Sequence, residues 1–267
     1  MHLSQKTPLY YAQYPLYDRA LPRICNKVKE IDNKLFLIDI GANIGDTVAL
    51  VSELVDDASI LCVEGNTEFL YFLKQNTASI KNNQITIEYK FCVETLVGNQ
   101  FKAETKNGTA HLSVADDTVI ENIDTLDNMI ERNRIFYQTN ILKIDTDGFE
   151  IAVLNGAKNF LNQSRPIIYF EFTPDAYVQN KQNPMDLIDL LVSLGYKKAL
   201  FYNNFGLPIG VYDFTDKGII KGLIDKIDLR EIHYYDILCL FDDDYGKYLS
   251  VISNELSYGD NKTILNS

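Results

Sequence analysis

Tryptophan is absent from this 267-residue chain, and histidine is scarce: His2, His111 and His233 are all there is. Four cysteines occur, Cys25, Cys62, Cys92 and Cys239, but no C-x-x-C pair and no histidine at zinc-ligand spacing. A zinc site is therefore not expected. Cys62 and Cys92 sit inside apolar runs and read as buried thiols. No run approaches the ~18 apolar residues that a membrane-spanning helix needs. Met1-His2-Leu3-Ser4-Gln5-Lys6 lacks the apolar core of a signal peptide, so the cytoplasm is the expected compartment. Runs of Lys and Arg are missing too. With 25 Lys+Arg against 37 Asp+Glu the net charge is −12. Nucleic-acid binders draw affinity from neutralising phosphates, so neither a nucleic acid nor an anionic membrane is an expected partner.

What is present is ordinary globular composition. Apolar residues make up 46% and charged residues 23%, and 17 Tyr and 14 Phe supply the aromatic bulk. The length suits one large domain with a full core. Residues 1–34 read as a Tyr-rich arm, broken at Tyr14-Pro15 and Leu21-Pro22, followed by a helix near 17–30. The arm is placed to cover the core or a neighbouring site.

From residue 35 strands and helices alternate. Leu35–Ile40 is apolar on both faces, as a central parallel strand should be. Ile44, Val48, Val51 and Val55 then recur at helical spacing. Ser59–Glu64 is the next strand, and Asn66 or Thr67 opens another helix with Phe69, Leu70 and Leu73 inward. Ile85–Cys92 reads as a third strand. Gly98-Asn99 and Asn107-Gly108 are turn signals that place hairpins in an insertion near 93–124. Asn140–Asp145 and Pro166–Phe172 are further buried strands, around a helix at about 149–162. Asn183, Pro184 and Gly195 cap, open and close another helix. Strands near 199–202 and 235–241 finish the sheet. The domain runs to about 250, and 251–267 reads as a polar, loose tail. The rhythm implies a parallel α/β sheet with right-handed crossovers.

The loop Asp39-Ile40-Gly41-Ala42-Asn43-Ile44-Gly45 follows the first strand, where open α/β sheets bind ligands. Glycine there allows a sharp turn and a close backbone approach. Glu64 ends the second strand, where a carboxylate can take both hydroxyls of a ribose. The spacing is G-x-x-x-G and not G-x-G-x-x-G. An acid two positions before the first glycine is unfavourable to a pyrophosphate. It suits the sulfonium and amino group of S-adenosylmethionine, so that cofactor is expected over a nicotinamide dinucleotide. Asp39, Gly41, Ala42, Asn43, Gly45, Glu64 and Asn66 are the candidate cofactor residues.

Leu37-Ile38-Asp39-Ile40-Gly41-Ala42-Asn43-Ile44-Gly45-Asp46-Thr47 resembles the opening motif of FkbM-type methyltransferases. The resemblance continues in order through Val63-Glu64-Gly65-Asn66, Ile123-Asp124-Thr125-Leu126-Asp127 and Leu142-Lys143-Ile144-Asp145-Thr146-Asp147-Gly148-Phe149-Glu150. Val153-Leu154-Asn155-Gly156-Ala157 and Pro166–Glu171 complete it, covering about residues 35–172. Two positions depart: Gly65 stands where the family commonly has Pro, and Asp147 where it has Glu. The resemblance implies a Rossmann-like class I methyltransferase, with a mostly parallel seven-stranded sheet, helices on both faces and the last strand antiparallel. It also implies methyl transfer from S-adenosylmethionine, usually to oxygen, with a sugar, glycan or small-metabolite hydroxyl as acceptor.

A hydroxyl needs a base, or a metal that lowers its pKa. Asp145, Asp147 and Glu171 end two strands or lie just beyond them, and are the candidate catalytic residues, Asp145 first. Their oxygens would suit Mg²⁺. Glu150 either joins them or salt-bridges within its helix, and Lys143 is placed to pair with one of these acids. His111, in the insertion, is a reserve base or a plain surface residue. Asp242-Asp243-Asp244 reads as a solvated acidic loop. Two other functions compete: a metal-dependent glycosyltransferase using Asp145-Thr146-Asp147 as its Asp-x-Asp, and a methyltransferase-like domain that only binds partners.

Overall fold

A computed structural model describes residues 7–96, 101–106, 109–114, 122–227 and 232–260; the side chains of 7, 8, 11, 101–106, 109–114 and 260 lie outside the described part. Helices α1 (Thr7–Gln13) and α2 (Ala20–Asp32) precede the first strand, β1 (Leu35–Ile40). The order then runs α3 (Asp46–Leu54), β2 (Ala58–Val63), α4 (Thr67–Thr77), β3 (Gln84–Glu88), β4 (Phe91–Cys92), β5 (Phe101–Lys106), β6 (Thr109–Val114) and β7 (Ile123–Asp124). It continues with α5 (Leu126–Arg132), β8 (Ile141–Ile144), α6 (Glu150–Asn155), α7 (Lys158–Ser164), β9 (Ile167–Phe172), α8 (Pro174–Gln179) and α9 (Pro184–Ser193). The last elements are β10 (Tyr196–Asn203), β11 (Pro208–Asp213), α10 (Lys217–Ile227), β12 (Tyr235–Phe241) and α11 (Leu249–Asp260).

The main sheet has the order β11-β10-β12-β9-β8-β1-β2-β3 among the described residues. β3, β2, β1, β8 and β9 run parallel, and β12 is antiparallel to both β9 and β10. This is the Rossmann-like α/β sheet the sequence implied, with eight strands in place of seven. The additional strand is β11, which pairs antiparallel with β10 at the sheet edge. Its first residue is Pro208, tolerated at a strand start on an edge because no ladder donor is needed there. The reversed strand β12 lies between β9 and β10, not at the edge.

Alternation along each strand builds a core on each face. Phe36, Ile38 and Ile40 of β1 pack with α5, α6, α7, α9 and α10, whereas Leu35 and Leu37 pack with α2, α3 and α11. All six residues of β1 are buried. Three segments differ from the sequence expectation. The expected strand Ile85–Cys92 divides, because β4 leaves the main sheet to pair with β7. The helix expected over 149–162 is two helices, α6 and α7, parted at Gly156-Ala157. The tail expected to be loose from 251 is helical to Asp260, held by buried Val251 and Ile252 and by Glu255, which pairs with Arg23 of α2 through Arg23 Nη2 at 2.7 Å. β5 and β6, in the expected insertion, pair antiparallel; the Asn107-Gly108 and Gly98-Asn99 turn signals lie outside the described residues.

Candidate active site

β2, β1, β8 and β9 end side by side, and β12 enters the sheet at that same edge, with Asp236 opposite Glu171. Two compartments open there. The larger, about 230 Å³, lies over β1, β8, β9 and β12; the smaller, about 60 Å³, lies over β1 and β2. Gly41, Asn43, Asp145 and Asp147 line both and form the waist between them.

The waist is shaped by backbone. Gly41 has φ +80, and a Cβ there would lie 1.9 Å from the Asp145 carbonyl oxygen, so the first loop must pass hard against the end of β8. The Gly41 and Ala42 N–H groups donate to the Val63 carbonyl at 3.0 and 3.1 Å, which ties the same loop to β2. Asp18, Asn43 and Asp147 line the cleft with φ of 54°, 47° and 51°. Left-handed backbone is strained for residues with a Cβ, and such strain gathers where a site requires a fixed shape.

Glu64 borders the smaller compartment with Phe69, Phe91 and Phe149. Its carboxylate accepts the N–H of Asn43 at 2.8 Å and of Asn66 at 2.7 Å. It therefore joins the first loop to the start of α4, and it keeps lone pairs for a further donor. Burial pushes its pKa up to about 7, against the pull of those two N–H groups. Asn66 caps α4, its side chain accepting from the N–H of Glu68 and Phe69. Ala42 is buried among the apolar residues beneath the loop, and Gly45 packs against Leu73 of α4. Of the seven candidate cofactor residues, then, Gly41, Asn43 and Glu64 stand on the cleft wall, and Asp39, Ala42, Gly45 and Asn66 support it from behind.

Lys143 projects from β8 between two acids. Its Nζ donates to Asp39 Oδ1 at 3.1 Å and to Asp145 Oδ2 at 3.3 Å. Burial works against the ammonium, but Asp39 and Asp145 outweigh it and hold its pKa well above the ordinary lysine value. Asp39 is wholly buried, and its Oδ2 has no hydrogen-bond partner among the described residues. Asp145 thus sits on the cleft wall with its charge half answered.

Asp145, Asp147 and Glu171, the three candidate catalytic acids, all line the larger compartment. Burial, then Asp145 and Glu150, push Asp147 up to about 7. Burial, then Asp145 and Asp236, push Glu171 well above the carboxylate range. Asp236 is raised likewise by burial, with Asp18 and Asp145 adding to it. Glu150 does not salt-bridge within its helix. Buried behind the loop, it accepts from Thr146 N–H at 3.1 Å, Thr146 Oγ1 at 2.9 Å, Gly148 N–H at 3.3 Å and Tyr177 Oη at 2.5 Å. It braces the turn that carries Asp147.

Among the described residues, no group of three or more His, Cys, Asp and Glu is placed to hold a metal ion. The magnesium expectation, and the Asp-x-Asp reading that depends on it, find no ligand set there. The side chain of His111 lies outside the described residues. Asp242 pairs with Lys197 and Asp243 with Arg165, at the end of β12 away from the cleft. No described helix is long and apolar enough to cross a membrane.

The arm, expected to cover the core or a neighbouring site, does line the cleft, but its individual residues and the contribution of β12 were not foreseen. Tyr17, Asp18, Leu21 and Pro22 of the arm, and Tyr234 and Asp236 at the start of β12, close the larger compartment. The only signal for the first group was the richness of the arm in tyrosine. Asp236, alone among apolar neighbours in Tyr235–Phe241, was a visible clue to the second.

The model of the methyltransferase FkbM domain matches residues 39–198. No curated protein matches the chain. Among solved structures, the methyltransferase FkbM of Methylobacillus flagellatus KT aligns at 17% identity and TM-score 0.40, covering 63% of this chain and 40% of that one. The chain therefore spans 40% of the length of that relative. An rRNA methylase from Streptococcus thermophilus aligns at 9% identity and TM-score 0.43, over 80% of this chain and 92% of its own. The plantazolicin methyltransferase BamL, solved with a triazolic desmethylPZN analog and SAH, aligns at 10% identity and TM-score 0.44, over 88% and 89%. The family match takes in every residue of the smaller compartment and the three catalytic candidates, and leaves out the arm, Tyr234 and Asp236. With well over half its length matched from Asp39 onward, the chain belongs to the family of the methyltransferase FkbM domain.

Proposed function

We propose that this protein transfers a methyl group from S-adenosylmethionine to a hydroxyl of a sugar, glycan or small metabolite. The observation that carries the reading is the two-compartment cleft, with Gly41, Asn43, Asp145 and Asp147 at its waist. The residues fit such a cofactor. Glu64 offers a buried carboxylate to ribose hydroxyls, aromatic walls suit an adenine, and the acids at the waist suit a sulfonium and an ammonium. The unanswered oxygen of Asp39 adds negative potential beneath the loop. When bound, S-adenosylmethionine supplies an electrophilic methyl group.

The chain then has three tasks. It orients the acceptor in the larger compartment, and proximity of this kind can lower a barrier by roughly 7–11 kcal/mol. It excludes water with Tyr17, Tyr169 and Tyr234. It would also take the hydroxyl proton onto a carboxylate as the methyl group passes from sulfur to the acceptor oxygen, leaving S-adenosylhomocysteine. Asp147 suits that last task better than Asp145, because a base works best with its pKa near the working pH and Asp145 already receives Lys143. Glu171 lines the same compartment and accepts the Thr173 hydroxyl at 2.9 Å, which fixes its carboxyl toward the acceptor's space.

Calorimetry with S-adenosylhomocysteine against UDP-sugars tests the cofactor, and methyl incorporation into sugars, glycan fragments and RNA tests the acceptor. Binding of S-adenosylhomocysteine and labelling of a hydroxyl on a small molecule are expected. Tight binding of a UDP-sugar alone, or efficient labelling of RNA with no small-molecule turnover, would sink the proposal.

A further inference from the structure

The larger compartment is closed by a segment the family match does not include. Residues 14–22 reach it because the turn between β10 and β11 holds them there. Gly206, at φ +75, lies so close to the arm that a Cβ would come within 2.0 Å of the Leu16 carbonyl oxygen. The Tyr14 ring stacks on Phe205, with centroids 4.2 Å apart, and Tyr10 stacks on Tyr17 at 5.3 Å. The turn itself is rigid: Asn203 Oδ1 accepts the N–H of both Phe205 and Leu207. Seated in this way, Tyr17 hydrogen-bonds the side chain of Tyr234, which arrives from the far side at the start of β12. The two phenols stand over the acids of β9 and β12.

We infer that Tyr17, seated by Gly206 and Phe205 and paired with Tyr234, hydrogen-bonds the acceptor, and that the acceptor group entering this compartment is uncharged or cationic. The inference rests on the cleft reading above and names the acceptor class for it. Its chemistry is that of the walls. Two phenol hydroxyls both donate and accept, which matches a polyol. Asp18, Asp46, Asp147, Glu171 and Asp236 also face the space, and Lys143, the one cation among the described lining residues, is held by Asp39 and Asp145. A carboxylate or phosphate entering here would find no free cation among the described residues of the wall, and would meet the negative charge of those acids that are ionised.

The test uses the full chain saturated with S-adenosylhomocysteine and three small probes: methyl glucoside, glucosamine and glucuronate. Binding is read by ligand-observed saturation-transfer NMR titration in the wild type, Tyr17→Phe and Gly206→Ala. Methyl glucoside and glucosamine should bind the wild type, with glucuronate at least about tenfold weaker. Tyr17→Phe should weaken both favoured probes by about 2–10-fold, the scale of one hydrogen bond. Its calorimetric affinity for S-adenosylhomocysteine should stay at the wild-type value. Gly206→Ala should act in the same direction, and if it does not fold, Tyr17→Phe still decides. Preference for glucuronate, silence of all three probes, or unchanged probe affinity in Tyr17→Phe overturns the inference while the cofactor reading stands. Failure of the wild type to bind S-adenosylhomocysteine overturns both.

Discussion

Glu64 and Asp147 face the cleft with pKa values near 7, and each gives a pH signature with a definite sign. In the proposed complex a ribose hydroxyl would donate to the Glu64 carboxylate, so the charged form would be the one that binds. Affinity for S-adenosylhomocysteine should rise from pH 6 toward 8 and level off once Glu64 has lost its proton. Glu64→Gln should weaken binding by about 1–3 kcal/mol and flatten that rise. Calorimetry at three pH values checks it, and an unflattened curve would remove Glu64 from the ribose. With Asp147 as the proposed base the unprotonated form would be the active one, so single-turnover rates should climb with pH through about 7. Asp147→Asn should lower the chemical step by about 10²–10⁴-fold with little change in cofactor affinity. EDTA separates a bare base from a metal: turnover lost to EDTA and restored by Mg²⁺ would set the base reading aside. A larger loss in Asp145→Asn than in Asp147→Asn would return the base to Asp145. Residue identity alone could not separate these two acids. What separates them is the Lys143 ammonium, and Lys143 read as only one of several pairing options until β8 placed it between Asp39 and Asp145.

At the scale of elements, strands buried on both faces were the easiest to read. β1, β2 and β9 are near-continuous apolar runs, and no polar face confuses their period. β11 was not legible: Pro208-Ile209-Gly210-Val211-Tyr212-Asp213 carries two turn-forming residues, and becomes a strand only because β10 pairs with it. The glycine loop, Glu64 and the strand-end acids could be named from local pattern, whereas the arm wall depends on a packing contact between residues 16 and 206 that no local pattern carries. α11 was misread for a related reason. Its polar residues include Glu255, which lies fully buried and takes both guanidinium donors of Arg23 at 3.0 and 2.7 Å, with Tyr202 Oη at 3.4 Å. A buried pair broken on one side leaves an unanswered charge. Glu255→Ala should therefore destabilise the fold by about 3–5 kcal/mol in urea unfolding. A loss below ~1 kcal/mol would show the pair to behave as a surface one.

Across the whole molecule the two faces of the sheet are covered unequally. One core gathers α5, α6, α7, α9 and α10, and the other α2, α3 and α11. All four cysteines lie buried within these layers, Cys25 and Cys62 beside the acid beneath the loop. Burial raises every one of these thiols, so the thiolate is scarce and out of reach. A thiol reagent at pH 8 should react with the native protein only as fast as the fold opens, and with four equivalents once urea unfolds it. Rapid native labelling at any of the four would contradict the packing.

Arg23 and Glu255 stand 232 residues apart in the chain, on helices that cover one face together. A ribosome adds about 5–20 residues each second, so roughly 12–46 s separate the synthesis of the two partners. Through that interval α2 and β1 exist without the helix that closes over them, and the Arg23 guanidinium stays in water without its counter-ion. The nascent chain can dock its first strands, but this face is sealed only after Glu255 has been made. One long-range ion pair thus sets a minimum delay between making this face and closing it.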